Sequence, residues 1–209
     1  MSGALARVDP RRALAHPLAY RLTQWVIRGA RSYREIANRY LRVARNDRIL
    51  DIGCGPATLL AYLPPVHYVG FDESPSYIDM ATRRFGSRGT FLCRTVDEAA
   101  VEDLGPASFD LVVAYGLVHH LDDRQAERFF ALTSSALKPR GRLVTLDGCY
   151  AEGQSRFARF LISKDRGRFV RDRDAYVALA RTSFPEVRAE LRHDLLRLPY
   201  TLLVLECGR

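Results

Sequence analysis

A chain of 209 residues with 47% apolar composition is long enough to bury a full core and falls in the size range of a single domain. Its four cysteines, Cys54, Cys93, Cys149 and Cys207, have neither C-x-x-C nor Cys/His ligand spacing, and no apolar run approaches the roughly 18 residues of a membrane span, which argues against disulfide scaffolds, zinc modules and membrane-spanning helices. The formal charge of +8 belongs to residues 1–48, which hold 11 Arg against 3 Asp and Glu, while the rest of the chain is neutral.

In chain order, residues 11–17 read as irregular. Tyr20–Arg28 and Tyr33–Leu41 carry apolar positions at helical spacing on either side of Gly29, and these two helices are expected to form a cap over 1–44 rather than to join a sheet. From Arg48 the pattern changes. Short apolar runs at 48–52, 66–71, 90–93, 109–114 and 142–147 alternate with helical stretches near 57–63, 75–85 and 123–137, which argues for a parallel sheet covered on both faces over 45–209. The segment 150–171 is polar and basic with scattered aromatics and is expected to act as a substrate lid. A helix over 173–183 and strands at 187–193 and 200–207 complete the chain. The link Leu195–Pro199 is too short for a crossover helix, so the last two strands are expected to pair antiparallel.

The run Ile49-Leu50-Asp51-Ile52-Gly53-Cys54-Gly55-Pro56-Ala57-Thr58, followed by Tyr68-Val69-Gly70-Phe71-Asp72, reads as strand, glycine turn, helix start and a second strand ending in a carboxylate. Gly53 and Gly55 remove side chains where the backbone must bend sharply or approach a ligand. The helix expected from Ala57 would point free N–H groups into the same space. Asp72, 17 residues beyond Gly55, is placed to accept both hydroxyls of a ribose. Position 58 is threonine, so the dinucleotide fingerprint G-x-G-x-x-G is broken, and no G-x-x-x-x-G-K-[ST] is present. A fixed negative charge at Asp51 would repel a pyrophosphate but could orient a cationic ligand or hold the turn through backbone N–H groups. The expected cofactor is a nucleoside without phosphates.

These residues resemble the class I S-adenosylmethionine-dependent methyltransferases. Leu50-Asp51-Ile52-Gly53-Cys54-Gly55 is similar to that family's first motif, Asp72 to its ribose-binding acid, and Phe109–Leu121 to its fourth-strand region. Leu137-Lys138-Pro139-Arg140-Gly141-Arg142-Leu143-Val144 is similar to its turn into the fifth strand, with Arg142 in place of one glycine. The resemblance covers about residues 45–150. It implies an α/β, doubly wound, seven-stranded and mostly parallel sheet whose C-terminal strand is antiparallel, with S-adenosyl-L-methionine as cofactor. Carried over, it places Asp51, Gly53, Cys54 and Gly55 against the amino-acid end of the cofactor, Asp72 on the ribose, and Glu73 or Ser74 beside the adenosine. Ala114 and Tyr115 would approach the sulfonium. Ala57 stands where a third glycine is common and Thr95 where an acid often follows the third strand, which leaves Val96 N–H or Asp97 for the adenine. Tyr20 would fold over the methionine carboxylate or the acceptor, and Gln24 and Tyr33 are offered by the same helices.

The expected reaction is in-line attack of an acceptor O, N, S or C nucleophile on the activated methyl, for which alignment can suffice. His119 and His120 follow the fourth strand at its ligand-facing end and can titrate near neutrality, and Asp147 ends the fifth strand, so these three are the candidate catalytic residues. Asp122 and Asp123 are expected to cap the following helix, and His193 and Asp194 to position the terminal hairpin. Arg156, Phe157, Arg159, Phe160 and residues Lys164–Arg168 suggest recognition of a carboxylate- or phosphate-bearing small molecule. The alternatives are an RNA or tRNA methyltransferase that uses the basic N-terminal arm, or a cofactor-binding protein without transfer activity. No metal and no membrane partner is expected. Without an apolar leader at the start of the sequence, a soluble, cytoplasmic location is the expectation.

Overall fold

The computed structural model describes residues 29–164 and 167–209. Its strands are β1 (Arg48–Ile52), β2 (His67–Asp72), β3 (Gly89–Cys93), β4 (Phe109–Tyr115), β5 (Leu137–Tyr150), β6 (Arg171–Asp172), β7 (Glu186–Arg192) and β8 (Leu202–Gly208). Its α-helices are α1 (Pro75–Phe85), α2 (Glu98–Leu104), α3 (Asp123–Ala136), α4 (Arg156–Ser163) and α5 (Arg173–Arg181). The sheet runs β3-β2-β1-β4-β5-β8-β7, with the two-residue β6 branching from β5. β1 to β5 pair in parallel, whereas β8 pairs antiparallel with both β5 and β7. This is the doubly wound sheet with an antiparallel C-terminal strand that the alternation and the short last link imply.

The central strands are almost continuously apolar because both of their faces are covered. Leu50, Ile52, Val112 and Ala114 face the core shared with α2, α3 and α5, while Ile49, Leu111 and Val113 face a second core closed by α1 and the helix that leads into the sheet. The period of two along each strand assigns Asp51, between Leu50 and Ile52, to the second face.

Four elements differ from the sequence reading. The helix expected over 57–63 is a short 3-10 helix, Thr58–Tyr62. Pro64 follows it and forces Leu63 into an extended conformation at φ −99° and ψ 149°, which stops the helix. Ala57, at φ 51°, enters it in the left-handed region that a third glycine would occupy without strain. β5 is longer than 142–147 because Leu137 already pairs with Phe109, and a register shift absorbs Lys138–Gly141 before Arg142 pairs with Leu111. Helix α2 was unforeseen; Asp97 caps it by accepting the Ala100 N–H at 2.8 Å. Helix α4 lies inside the segment read as a lid.

The leading helix is α-helical over 29–35 and π-helical over Ile36–Leu41, with Ile36, Ala37, Tyr40 and Leu41 buried. The remainder of the expected cap, including Tyr20, Gln24 and Trp25, lies outside the described residues. Charged contacts fasten this helix to the far end of the sheet. Arg192, itself buried, reaches Glu35, the Tyr40 hydroxyl at 2.6 Å and Asp194 at 2.8 Å, and Arg39 meets Glu190 at 2.6 Å. Arg142, where a glycine was expected, donates to the carbonyls of Tyr40, at 2.7 Å, and of Leu41. Those carbonyls end the helix and have no intrahelical partner of their own, so the guanidinium acts as a cap supplied from β5. Arg142→Ala is therefore expected to lower the unfolding free energy by about 1.5–3 kcal/mol, the usual worth of hydrogen bonds to a charged group, as read from urea denaturation midpoints.

Candidate active site at the carboxyl ends of the parallel strands

β1 and β2 end side by side, with Ile52 paired to Phe71, and the chain then turns at Gly53-Cys54-Gly55. Every N–H of this turn is received by the end of β2. Gly53 and Cys54 donate to the Phe71 carbonyl at 2.8 and 2.9 Å, and Gly55 donates to Asp72 Oδ2 at 2.9 Å. The second oxygen of Asp72 accepts the Ser74 N–H at 2.8 Å. Gly53 and Gly55 have φ of 74° and 54°, a conformation that only glycine adopts without strain. A Cβ built on Gly55 would meet no atom within 4 Å, so the turn borders open space of the kind a ligand fills.

Asp51 does not hold this turn; Phe71 and Asp72 do. Its Oδ2 accepts the Tyr68 hydroxyl at 2.5 Å, in a setting where Asp51 and Tyr68 are both 3% exposed. Burial pushes the Asp51 carboxyl up to about 7; the Tyr68 hydrogen bond opposes the rise and the charge of Asp72 adds to it. The charge at Asp51 is thus not fixed, contrary to the sequence reading, and changes with pH near neutrality.

The second half of the site is built by β4 and β5. After β4, Gly116 turns at φ 73° and donates to the Leu146 carbonyl at 2.8 Å, and the Leu117 side chain stands 3.5 Å from where a Gly53 Cβ would be, so the turns after β1 and β4 face one another. A 3-10 turn over Val118–His120 follows. His119 Nδ1 lies 2.8 Å from Asp147 Oδ1, and the same oxygen accepts the His119 backbone N–H at 3.2 Å. Both residues are buried. A carboxylate that accepts from Nδ1 places the ring proton there and leaves Nε2 as the basic nitrogen. Asp147 Oδ2 is buried with no hydrogen-bond partner among the described residues, which is costly unless a group beyond them meets it. His120 is exposed, its ring centroid 4.3 Å from that of His119.

Residues 167–169, in the segment expected to act as a lid, contact this pair through backbone. Phe169 N–H donates to the His119 carbonyl at 3.0 Å, and a Cβ on Gly167 would fall 2.0 Å from His119 Cδ2, so only glycine fits there. Arg171 straps the turn down by donating to the Leu121 carbonyl at 2.8 Å and to Asp123 Oδ1 at 2.7 Å. Arg156, Phe157, Arg159, Phe160, Lys164 and Arg168 are exposed, with the Arg159 guanidinium 5.2 Å from the centre of the Tyr150 ring.

The remaining sequence candidates fall as follows. Glu73 is exposed and Cys54 half-buried, its thiol held protonated by burial. Ala114 is fully buried and Val96 packs against the core beside α2. The Tyr115 hydroxyl is buried. Tyr20 lies outside the described residues, whereas Tyr33 stacks on Tyr62 with ring centroids 5.4 Å apart, joining the leading helix to the helix after the glycine turn. Asp122 caps α3 in a capping box with Gln125, but Asp123 is held by Arg171 instead. His193 meets Thr201 Oγ1 at 3.0 Å and Asp194 meets Arg192, contacts that fix the hairpin. All four cysteines are free, with Cys149 and Cys207 buried, Cys54 intermediate and Cys93 exposed. Among the described residues no cluster of His, Cys, Asp or Glu is placed to hold a metal, and no helix is long and apolar enough to cross a membrane.

Sequence reasoning nominated His119 and Asp147 separately and missed their pairing. Register would have found it: β4 and β5 are parallel neighbours with Tyr115 opposite Leu146, which brings the residues just beyond each strand end together. Arg171 and Tyr68 were missed because their roles depend on contacts across 50 and 17 residues that carry no local pattern.

Comparison with known proteins finds the same fold. The methyltransferase-domain family matches residues 50–143. Phosphoethanolamine N-methyltransferase 1 of Zea mays is 27% identical over 177 residues, 79% of this chain and 33% of that protein. An O-methyltransferase of Aspergillus nomiae is 35% identical over 124 residues, 54% of this chain and 52% of that protein. The chain thus spans about a third to a half of the length of these curated relatives. Among solved structures, phosphoethanolamine N-methyltransferase 2 of Haemonchus contortus, in complex with S-adenosyl-L-methionine, superposes at a TM-score of 0.72 with 16% identity over 98% of this chain and 60% of its own. The mitomycin 7-O-methyltransferase superposes at 0.70 with 19% identity, over 96% and 58%. Residues 50–143 thus resemble a methyltransferase domain, and the chain shares the fold of these S-adenosylmethionine-dependent enzymes.

Asp51 has a measurable signature. Its folded carboxyl binds a proton that the unfolded chain releases near pH 4, so its contribution to stability is greatest in acid, declines as pH rises to about 7 and is level above. Relative to Asp51→Asn, the parent should lose on the order of 4 kcal/mol across that window, as chemical denaturation at a series of pH values would reveal. A constant difference between the two proteins would remove the assignment.

Proposed function

We propose that the protein transfers the methyl group of S-adenosyl-L-methionine to a heteroatom of a small-molecule acceptor, with His119 as the proton acceptor. The observation that carries this reading is the buried His119–Asp147 pair at the ends of β4 and β5, beside a glycine turn that opens onto free space. The residues fit the cofactor: the Gly55 turn is clear of side chains, Asp72 stands at the end of β2 as a hydroxyl acceptor, and Asp51 offers a carboxylate to a cationic amino-acid end. When bound, S-adenosylmethionine supplies a methyl group already activated by its sulfonium. The chain's own residues then bind, orient and exclude water. Asp147 fixes the His119 ring and would stabilise the imidazolium that forms when Nε2 takes the acceptor's proton. The lid backbone at Gly167–Phe169 keeps solvent from the ring.

The relatives named for N- and O-methylation support a small acceptor with a nitrogen or oxygen nucleophile. The exposed cations of α4 and its flanks, Arg156, Arg159, Lys164 and Arg168, support one that bears a carboxylate or phosphate. The reading as an RNA methyltransferase is weakened by three of the six described arginines of the basic arm: Arg39 and Arg42 pair with Glu190 and Glu206, and Arg48 donates to the Leu104 carbonyl. They are engaged within the fold.

Incubation of purified protein with a methyl-labelled donor and a metabolite library tests the reading, since transfer of label identifies activity and acceptor mass together. His119→Ala is expected to lower turnover by about 10²–10⁴-fold while the affinity for S-adenosylhomocysteine stays within about twofold. Asp72→Asn is expected to weaken that affinity by about tenfold and to cost about 1–3 kcal/mol of stability, because the amide keeps one oxygen acceptor for two backbone donors. Equal turnover of His119→Ala and parent would leave alignment as the whole of catalysis.

A further inference from the structure

The Asp51–Tyr68 pair has no evident structural purpose. It lies on a sheet face otherwise lined by Ile49, Leu111 and Val113, where two apolar residues would pack at least as well without the cost of burying a carboxyl and a phenol. The phenol is nevertheless held firmly. Gly70 and Gly89, on β2 and β3, give the Tyr68 ring its room: a Cβ on Gly89 would meet Tyr68 Cδ1 at 3.0 Å, and one on Gly70 would meet Tyr68 Cε1 at 3.1 Å. The ring packs against these two glycines and against Phe91, with centroids 5.8 Å apart, and its hydroxyl donates to Asp51 Oδ2. Oδ1 has no hydrogen bond within the described residues. One donor does not compensate a buried carboxylate, so the pair as it stands favours a proton on Asp51 and is completed by a cation.

Resting on the reading of the glycine turn as the S-adenosylmethionine site, we propose that Tyr68 is a positioning residue for cofactor binding: it fastens Asp51 by one oxygen, presents the other to the ligand's ammonium, and couples ligand uptake to loss of the Asp51 proton. The proton balance is simple. Below about pH 7 Asp51 carries a proton when no ligand is bound; the ammonium of the incoming ligand replaces it as the positive partner, and the proton goes to solvent. The titratable groups that face Asp51 are Tyr68 from β2, Cys54 from the glycine turn and Asp72 from the end of β2. Burial holds the phenol and the thiol protonated, and the β4 neighbour in register, Val113, is apolar. Asp51 is therefore the group that titrates at this position, and removing the Tyr68 donor makes its ionisation harder.

The test is calorimetric titration with S-adenosylhomocysteine, which carries the ammonium without the sulfonium, from mildly acidic to alkaline pH in two buffers of different ionisation enthalpy. The parent is expected to bind more tightly as pH rises to about neutrality, by close to tenfold per unit, with release of about one proton, and then to level off. In Tyr68→Phe the level region should begin at higher pH, so that affinity falls by about tenfold near neutrality and recovers toward the parent value at mildly alkaline pH, below the point at which the ligand's own ammonium loses its proton. Replacing Tyr68 by 3-fluorotyrosine, a stronger donor of nearly the same shape, should move the onset the other way and serves if Tyr68→Phe folds poorly. In Asp51→Asn the affinity should be independent of pH, and adding Tyr68→Phe should change nothing more. A loss in Tyr68→Phe that is uniform across pH, or a fluorotyrosine profile that does not move, overturns the proposal and leaves Tyr68 as packing. Absence of binding by the parent overturns the cofactor reading itself, a result distinct from the first.

Discussion

A turn whose consecutive residues point their N–H groups the same way cannot satisfy them by itself, and the site of this protein depends on where those donors find acceptors. Gly53, Cys54 and Gly55 all donate to the end of β2, two to the Phe71 carbonyl and one to the Asp72 carboxylate. The turn after β1 and the strand beside it are therefore one rigid unit. Asp72 also receives Ser74, so the same carboxylate sets the entry into α1. Its position is fixed from both sides before any ligand arrives. That preorganisation is what a binding edge requires, because a loop that had to be ordered by its ligand would weaken the affinity by the entropy of ordering.

Much of this was legible in the sequence because it rests on local pattern. The apolar runs gave β1 to β4 to within a residue or so, the short link Leu195–Pro199 gave the antiparallel end of the sheet, and the glycine turn with its downstream acid marked the candidate site. What escaped was set by contacts distant in sequence or by competing local forces. The helix after the turn was shortened by Pro64, whose effect on Leu63 outweighed the helical spacing of the apolar residues. Asp51 was read as a charge, although burial against Tyr68 makes it a group whose charge is conditional. His119 and Asp147 are 28 residues apart and become partners only when β4 and β5 are placed in register.

The arginines show the same division between composition and context. A count of charges suggests a basic arm awaiting a polyanion, yet Arg39 and Arg42 close ion pairs and Arg142 and Arg171 act as backbone caps. Arg142 is instructive because it replaces an expected glycine and does so with a purpose: its guanidinium takes up the carbonyls at the end of the leading helix. A departure from a family pattern thus marks where this chain built its own attachment for a helix that rests on the sheet. Arg171 does the corresponding work at the site, holding the turn that carries His119.

The placement of β8 sets an order on assembly. The strand made last among those described, Leu202–Gly208, is not at a margin of the sheet but between β5 and β7, with hydrogen-bonded neighbours on both sides. Until it arrives, β5 presents an open row of backbone donors and acceptors and β7 has no partner in the sheet. During synthesis β7 must therefore wait for β8 before it can join the sheet, and a ribosome that stalls before residue 202 leaves the parallel strands with β5 as a bare margin and β7 detached.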